Sequence, residues 1–195
     1  MTSSHKHDVL IIGAGAAGLS LALQLPGHLR VALLSKADLT QGSTYWAQGG
    51  MAAVLDTKDS VNSHVEDTLA AGAGLCHREA VEFTVSTSRS CVEWLVQQGV
   101  DFDLRPDHAD EFHLTMEGGH SHRRIIHAAD HTGRAISEVL TEKAQAADNI
   151  EIFTHRVAVD LVVQDGHCQG AYILNRLSDH VELFQAGAVV LATGG

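Results

Sequence analysis

The fold of this chain is decided by one stretch near its start, DVLIIGAGAAGL, which covers residues 8–19. A short apolar strand runs into a G-x-G-x-x-G turn formed by Gly13, Gly15 and Gly18, and a leucine-rich, helix-like stretch follows. Gly13 permits the tight turn, Gly15 lets the backbone approach a pyrophosphate, and Gly18 allows the helix to pack closely on the strand. The N-terminus of that helix offers free N–H groups to phosphates, so the stretch predicts a dinucleotide site.

A second apolar run covers Val31–Leu34, after Pro26-Gly27 has ended the first helix, which predicts a right-handed β-α-β unit with parallel strands. The acidic residue that usually follows the second strand and binds the ribose of NAD is replaced by Ser35 and Lys36. Ser35 can still bond a ribose hydroxyl and Lys36 can neutralise a phosphate, although an exposed loop lysine is the alternative. We predict a nucleotide cofactor that is not nicotinamide-based.

The segment from Ser43 to Gly50 combines small residues, hydroxyls and a glycine pair. Small residues allow the backbone to approach a bulky planar ligand, and Ser43, Thr44 and Gln48 supply hydrogen-bonding groups. A plain glycine-rich loop is the alternative, because glycine and serine also mark turns.

The rest of the chain predicts scaffold helices, a small antiparallel meander and a final buried strand. The expected elements are helices over 80–98 and from about 134, a strand over 150–153, meander strands over 158–163, 170–174 and 181–184 with a turn at Asp165-Gly166, and an apolar strand over 188–191. The helix over 80–98 is expected to stop at Gly99.

Charge and cysteine content narrow the class of protein. The formal net charge of −11 disfavours binding to nucleic acid or anionic lipid. Cys76, Cys91 and Cys168 form no C-x-x-C pair and are odd in number, which is typical of reduced thiols in the cytosol. The first apolar run ends at Gly13, too early for a signal peptide or a membrane span. We expect a cytoplasmic protein without a nucleic-acid or membrane partner.

A histidine-rich segment lies at 113–133 and raises the question of a metal site. His120 and His122 would share one face of a strand, and His127 and His131 one face of a helix. No thiolate lies nearby in the sequence, and two adjacent arginines would repel a cation.

Those arginines, Arg123 and Arg124, instead favour a cationic pocket for an anionic ligand such as a carboxylate substrate or a reduced flavin. The alternative is a solvated basic loop. We therefore predict no metal site.

The motifs occur in an order that resembles a known family. They are the turn Gly13–Gly18, the segment Ser43–Gly50, the stretch EGGHSHRR at 117–124 with AADHTG at 128–133, and the closing ATGG at 192–195. Together they are similar to the succinate dehydrogenase and fumarate reductase flavoprotein family over essentially the whole chain. The resemblance implies an α/β fold: a Rossmann-like FAD-binding domain with a parallel central sheet and a small antiparallel β-meander at about 158–185, truncated before a capping domain.

Within that family the motifs most resemble the enzymes that oxidise L-aspartate to iminoaspartate by hydride transfer to flavin N5. The resemblance implies that oxygen or fumarate reoxidises the flavin, that the reaction is the first step of de novo NAD biosynthesis, and that the product passes to quinolinate synthase. Motif reasoning and resemblance together make the following residues FAD contacts: Gly13, Ala14, Gly15, Ala16, Ala17, Gly18, Ser35, Lys36, Ser43, Thr44, Tyr45, Trp46, Ala47, Gln48, Gly49, Gly50, Val157, Ala158, Ala192, Thr193 and Gly194.

The family pattern also bears on covalent attachment and catalysis. Membrane-bound relatives link FAD to a histidine just before the threonine that matches Thr44, whereas this chain has Ser43 there. Serine cannot form a histidyl bond, so the resemblance implies non-covalent FAD. The family's catalytic histidine and arginine belong to a capping region, so we expect 1–195 to be an N-terminal part of the FAD-binding domain, without catalytic residues and inactive alone.

Glu117 is the candidate substrate-binding residue, because it is the only carboxylate between Thr115 and His127. Aspartate differs from succinate by an α-ammonium, and family members acting on plain dicarboxylates carry no acid before the matching glycine pair. A charge-assisted hydrogen bond from the ammonium to Glu117 would favour aspartate. The alternative is an ion pair with Arg123 or Arg124 that only orders the loop.

Three rival functions remain open at the level of sequence. A pyridine-nucleotide dehydrogenase would share the glycine turn, but it should carry an acid near Ser35. A flavoprotein acting on succinate or fumarate, and a non-catalytic flavin-binding module, fit the same motifs.

Overall fold

The computed structural model describes residues 4–194, except for the side chain of Ala109. In chain order, its strands and longer helices are β1 Ser4–Ile12, α1 Ala16–Gln24, β2 Val31–Leu34, α2 Ser43–Trp46, β3 Met51–Ala52, α3 Val61–Ala71, α4 Arg78–Gln98, β4 Leu104–Arg105, β5 His108–Phe112, β6 Leu114–Thr115, β7 Ile125–Ile126, α5 Thr132–Ala146, β8 Ile150–Phe153, β9 Arg156–Gln164, β10 His167–Asn175 and β11 His180–Leu191.

The chain divides into two compact units. Within the described residues, the sheet unit comprises 4–46 and 136–194, and the helical unit comprises 47–135. The sheet unit holds a six-stranded sheet in the order β8-β2-β1-β11-β10-β9. The strands β8, β2, β1 and β11 pair in parallel, and β10 and β9 continue the sheet in antiparallel fashion.

The predicted β-α-β unit is confirmed as β1, α1 and β2. Val31–Leu34 is buried throughout, and Leu10 and Ile11 of β1 are fully buried as well, as expected for parallel strands covered on both faces. The helix α1 ends at Gln24 because Pro26 holds the preceding residue Leu25 in an extended conformation.

The final strands differ from the expectation of two separate pieces at 181–184 and 188–191. The structure has one strand, β11, which pairs antiparallel with β10 and parallel with β1. Its alternation of buried residues, at Glu182, Phe184 and Ala186, runs up to Gly187 without a break. A Cβ at Gly187 would meet only the Asp8 carbonyl at 3.4 Å, so this glycine is accommodated within a strand rather than ending it. The antiparallel meander is therefore part of the main sheet.

Side chains from the parallel and the antiparallel strands share one core. Phe184 lies edge-on to Phe153, with ring centroids 4.9 Å apart. The buried members of the cluster come from β1, β2, β10 and β11: Leu10, Ile12, Ala32, Leu34, Ala171, Ile173, Phe184 and Ala186. The turn at Asp165-Gly166 is confirmed, with φ of 52° and 77°, as a tight hairpin requires.

The helical unit contains α3 and α4. The predicted stop at Gly99 is confirmed, since Gly99 adopts φ of 105° at the end of α4. The helix α3 was not predicted, although Val61, Val65 and Leu69 recur at helical spacing. It starts at Ser60, whose hydroxyl accepts from the Ser63 N–H at 3.1 Å, and it buries His64 and Val65.

The predicted secondary structure of the histidine segment is wrong. His120 and His122 lie in the loop between β6 and β7, where Gly119 adopts φ of 83° and extended pairing stops. His127 and His131 flank the turn before α5, in which Ala129 has φ of 46°, so they share no helix face. Among residues 4–194, no three His, Cys, Asp or Glu side chains are grouped so that they could hold a metal ion.

Candidate functional site

The candidate nucleotide site lies at the carboxyl ends of the central strands of the main sheet, where β1, β2 and β11 end side by side. Ile12 pairs with Leu34 on one side and with Leu191 on the other, so the residues that follow all three strands leave the sheet together. The Ala192 N–H donates to the Ile12 carbonyl at 2.9 Å and extends this pairing. Ligands of open α/β sheets bind at the carboxyl ends of the strands, which is where the structure brings these motifs together.

Two glycines of the turn are required by the protein itself. Gly13 has φ of 121°, and a Cβ there would overlap the Ala192 carbonyl. A Cβ on Gly18 would overlap the Gly13 carbonyl, which confirms that this glycine serves close packing of helix on strand. In both cases the obstacle is backbone, so no side-chain rotation relieves the overlap.

Gly15 is different, because the described residues do not explain it. Its φ is −82° and its ψ is −174°, which other residues adopt freely. A Cβ there would meet only the Thr44 hydroxyl oxygen, at an ordinary contact distance of 3.5 Å. The space in front of Gly15 is therefore left open by the protein, as a site for an approaching phosphate requires.

The N-terminus of α1 completes this opening. Gly15 offers no side-chain cap, and the first-turn N–H groups of a helix have no partner within the helix. The Ala16 N–H donates to Thr44 Oγ1 at 3.1 Å. The other first-turn groups and the positive end of the helix dipole favour an anion, so the residues present fit the pyrophosphate of a dinucleotide.

The candidate adenosine side lies next to β2. The Ser35 N–H donates to the Phe153 carbonyl at 2.9 Å, and the Arg156 N–H donates to the Ser35 carbonyl at 2.8 Å. Val157 and Ala158 follow Arg156 in β9, so the structure places them on the strand that begins beside Ser35.

Lys36 follows Ser35 and is exposed, which suits either a phosphate contact or the alternative of a plain loop lysine. Its carbonyl accepts from Arg176 Nη1 at 3.2 Å, so the backbone of this loop is held while the side chain is not enclosed.

The segment Ser43–Gly50 is divided between the two units. Ser43–Trp46 forms the one-turn helix α2 of the sheet unit, in which Thr44 contacts the start of α1 and Trp46 is 69% exposed. Tyr45 lies in the same turn. Contact of Tyr45 and Trp46 with the cofactor remains a prediction.

Ala47–Gly50 belongs to the helical unit and contains glycines of two kinds. A Cβ on Gly50 would come within 2.5 Å of the Ile126 carbonyl, so packing alone requires this glycine. No atom of the described residues lies within 4 Å of a Cβ on Gly49, which leaves it available to a ligand. Ala47 and Gln48 stay predicted cofactor residues.

The closing turn lies against the glycine turn through Ala192. Thr193 is exposed, and Gly194 has φ of 72° with open space around it. Gly195, the last residue of the ATGG motif, lies outside the described residues.

Glu117 is exposed in the loop between β6 and β7, and its carbonyl accepts from the His120 N–H at 3.2 Å. The alternative of an ion pair with Arg124 is not what the structure shows. Arg124 is fully buried and donates to both carboxylate oxygens of Asp59 at 2.8 Å, and to Asp67 at 2.8 Å. The predicted cationic pocket is therefore wrong for Arg124, whose charge is neutralised, whereas Arg123 remains exposed.

Asp67 and His64 have shifted pKa values in this cluster. The pKa of Asp67 is lowered to about 2, first by the Ser121 backbone N–H, then by the Ser121 hydroxyl and by Arg124. The pKa of His64 is lowered by burial first and by Arg124 and His120 second. His64 is thus held neutral, and its Nδ1 is buried without a hydrogen-bond partner within the described residues.

Sequence reasoning missed Asp59, Asp67 and His64. The two aspartates lie 65 and 57 residues from Arg124, too far for any local pattern to pair them. The available signal was Arg124 itself, since the segment 113–133 contains only two acids, Glu117 and Asp130, that could pair with a buried arginine locally.

The chain is similar to known FAD-binding proteins. Residues 8–195 match the family described as FAD binding domain. The L-aspartate oxidase of Pseudomonas aeruginosa is 58% identical, over 100% of this chain and 38% of that protein. The L-aspartate oxidase of Yersinia pestis is 54% identical, with the same coverage of 100% and 38%. A solved quinol fumarate reductase of E. coli superposes with a TM-score of 0.91 at 32% identity, over 99% of this chain and 33% of that one.

These matches confirm the predicted fold class and the predicted family of flavoproteins. They favour FAD over a nicotinamide nucleotide, as the missing acid after β2 indicated. The chain spans 38% of the length of the two oxidases. None of the helices within residues 4–194 has the length and apolar character needed to cross a bilayer.

Proposed function

The chain belongs to the FAD binding domain family, and from this premise we propose that residues 1–195 form the N-terminal part of the FAD-binding domain of an L-aspartate oxidase. The proposed reaction is the oxidation of L-aspartate to iminoaspartate, with oxygen or fumarate as acceptor, as the first step of de novo NAD biosynthesis. The observation that best supports FAD binding is the open space at Gly15, a glycine that the fold itself does not need. Identity of 58% to a named L-aspartate oxidase supports the choice of substrate.

When bound, FAD accepts the hydride that leaves the substrate. The chain's own part is to bind and orient. Gly15 and the first turn of α1 bind the pyrophosphate. The adenosine side is bound by Ser35, Lys36, Val157 and Ala158. The rest of the cofactor is contacted by Ser43–Gly50 and by the closing turn at 192–194.

We propose that the cofactor is held non-covalently, because Ser43 offers a hydroxyl where a linking imidazole would be needed. We further propose a cytoplasmic enzyme that passes its product to quinolinate synthase. The acidic net charge of −11 supports the absence of a nucleic-acid or anionic-membrane partner.

Glu117 is proposed to bind the α-ammonium of aspartate. The loop carries this carboxylate in an exposed position, and the neighbouring Arg124 is occupied by Asp59 and Asp67 rather than by Glu117. A charge-assisted hydrogen bond contributes about 1.5–3 kcal/mol, or roughly tenfold to a hundredfold in affinity.

The test is Glu117→Gln in the full-length flavoenzyme. We expect kcat/KM for aspartate to fall by roughly tenfold to a hundredfold, with fumarate reduction by a reduced viologen dye and FAD content nearly unchanged. Glu79→Gln, on the exposed side of α4, is the matched control and should change none of these values. Equal losses for aspartate and fumarate in Glu117→Gln would assign Glu117 a structural role.

The second candidate function is a fumarate reductase, favoured by the TM-score of 0.91 to the quinol fumarate reductase of E. coli. Turnover separates the two, since a fumarate reductase reduces fumarate without oxidising aspartate. A yellow protein with neither activity would support the third possibility, a flavin-binding module without catalysis.

A further inference from the structure

The loop that carries Glu117 is held mainly by contacts with residues outside the loop. Between β6 and β7, the bond from the His120 N–H to the Glu117 carbonyl closes one turn. A Cβ on Gly118 would have open space around it, so neighbouring atoms do not confine this half of the loop. Its geometry therefore depends on the contacts made further along, at Ser121.

Asp67 on α3 makes those contacts. One of its carboxylate oxygens, Oδ2, accepts from the Ser121 N–H and from the Ser121 hydroxyl, both at 2.8 Å. The same oxygen accepts from Arg124 Nη1 at 2.8 Å. Three donors thus converge on Asp67, and two of them belong to Ser121, the residue that follows the turn from Glu117 to His120.

The helix that carries Asp67 is fixed on its other side. Val65 is buried, and the Ser60 hydroxyl caps the start of α3. Asp67 therefore connects a rigid helix to a loop that lacks its own support, which is the arrangement by which an outer residue orients a binding residue.

The charge of the cluster also matters. Arg124 contributes one positive charge, and Asp59 and Asp67 contribute two negative charges, so these three side chains together carry one net negative charge. Arg124 Nη1 lies 3.4 Å from His120 Nδ1, and since a guanidinium only donates, the His120 nitrogen is the acceptor of this contact. The base of the loop thus favours an ammonium group over a plain dicarboxylate.

We propose that Asp67 is a positioning and specificity-determining residue for the amino-dicarboxylate substrate: through Ser121 it holds the loop so that Glu117 receives the substrate ammonium, and its charge adds to the preference for that ammonium. This inference rests on the proposed function, because it presupposes that Glu117 binds aspartate.

The test compares Asp67→Asn and Ser121→Ala in the full-length flavoenzyme. Asparagine keeps an acceptor for Ser121 but removes the charge. Alanine removes the hydroxyl bond to Asp67, together with the hydroxyl contact to Ser63, and keeps the N–H bond to Asp67. We expect KM for aspartate to rise about tenfold in Asp67→Asn and less in Ser121→Ala. The inhibition constant of succinate, which lacks the ammonium, should change by less than about twofold, with kcat and FAD content retained.

Two control variants separate positioning from general damage. Glu66→Gln removes the neighbouring acid on α3, which pairs with Arg78 at 2.9 Å on the surface, and should leave all constants unchanged. Ser121→Thr keeps the hydroxyl and should restore the aspartate KM lost in Ser121→Ala. If Asp67→Asn does not fold, the comparison of Ser121→Ala with Ser121→Thr tests the positioning role by itself.

A double mutant distinguishes this inference from the role of Glu117. Combined with Glu117→Gln, Ser121→Ala should cost little more than Glu117→Gln alone, because the loop then has no carboxylate to position. If the losses in aspartate affinity of the two variants add, or if Ser121→Ala weakens aspartate and succinate equally, Asp67 and Ser121 do not position Glu117. The proposed role of Glu117 in binding aspartate would still stand. If Glu117→Gln alone does not separate the two ligands, the proposed substrate site fails instead.

Discussion

Replacing Gly15 with alanine should weaken FAD binding without harming the fold. The backbone at Gly15, with φ of −82°, suits alanine, and the new methyl would meet only Thr44 Oγ1 at 3.5 Å. Restricting the unfolded chain stabilises by about 0.4–1 kcal/mol, and replacing glycine by alanine at the helix N-cap costs roughly as much, because alanine is the poorer N-cap residue. The free energy of unfolding of the apoprotein should therefore change by less than about 1 kcal/mol.

The expected loss of affinity follows from the same geometry. The methyl would occupy the space that Gly15 leaves open, so a phosphate loses at least one charge-assisted hydrogen bond to the first turn of α1, worth about 1.5–3 kcal/mol. The dissociation constant of FAD should rise roughly tenfold to a hundredfold. We would measure it by quenching of flavin fluorescence on titration into full-length apoprotein.

Gly18→Ala is the contrasting variant. Its Cβ would overlap the Gly13 carbonyl, so this substitution should lower the melting temperature of the apoprotein and lose FAD only as a consequence of misfolding. The reasoning is refuted if Gly15→Ala binds FAD as tightly as the wild type, or if it destabilises the apoprotein as much as Gly18→Ala does.

Two further predictions concern cofactor attachment and pH. Acid precipitation of the full-length protein should release all FAD into the supernatant, because Ser43 offers no linking imidazole, and yellow colour that stays with the pellet would contradict this. The folded-state pKa of His64 is lowered below 6.5, so its contribution to stability is present above pH 6.5 and is lost as pH falls below that value. His64→Gln should therefore show a smaller fall in melting temperature between pH 7 and pH 5 than the wild type, and an unchanged fall would exclude this effect.

The sequence predicted those parts of the fold that depend on local chemistry. The glycine turn, β2 and the stop at Gly99 follow from conformational limits and apolar runs within a few residues. The closing strand was divided wrongly because Gly187 resembles a break in a single sequence, whereas its acceptance in β11 depends on the neighbouring strand β1.

The candidate site was predictable in its glycines but not in its charges. Arg123 and Arg124 are adjacent and identical in type, yet one is exposed and the other is fully buried. The difference comes from Asp59, which precedes α3, and from Asp67 on α3, a helix that the sequence analysis did not predict. Long-range ion pairs of this kind leave no periodic trace in the sequence.

Because β1 pairs with β11, the sheet can be completed only late in the synthesis of the chain. Gly13 is made early, but its neighbour Ala192 emerges from the ribosome only after the rest of the sheet, roughly 10 to 36 s later at about 5–20 residues per second. Until then, the apolar edge of β1 that β11 will cover is open to incorrect partners. The glycine turn can therefore take its final place against Ala192 only after the last strand has been translated.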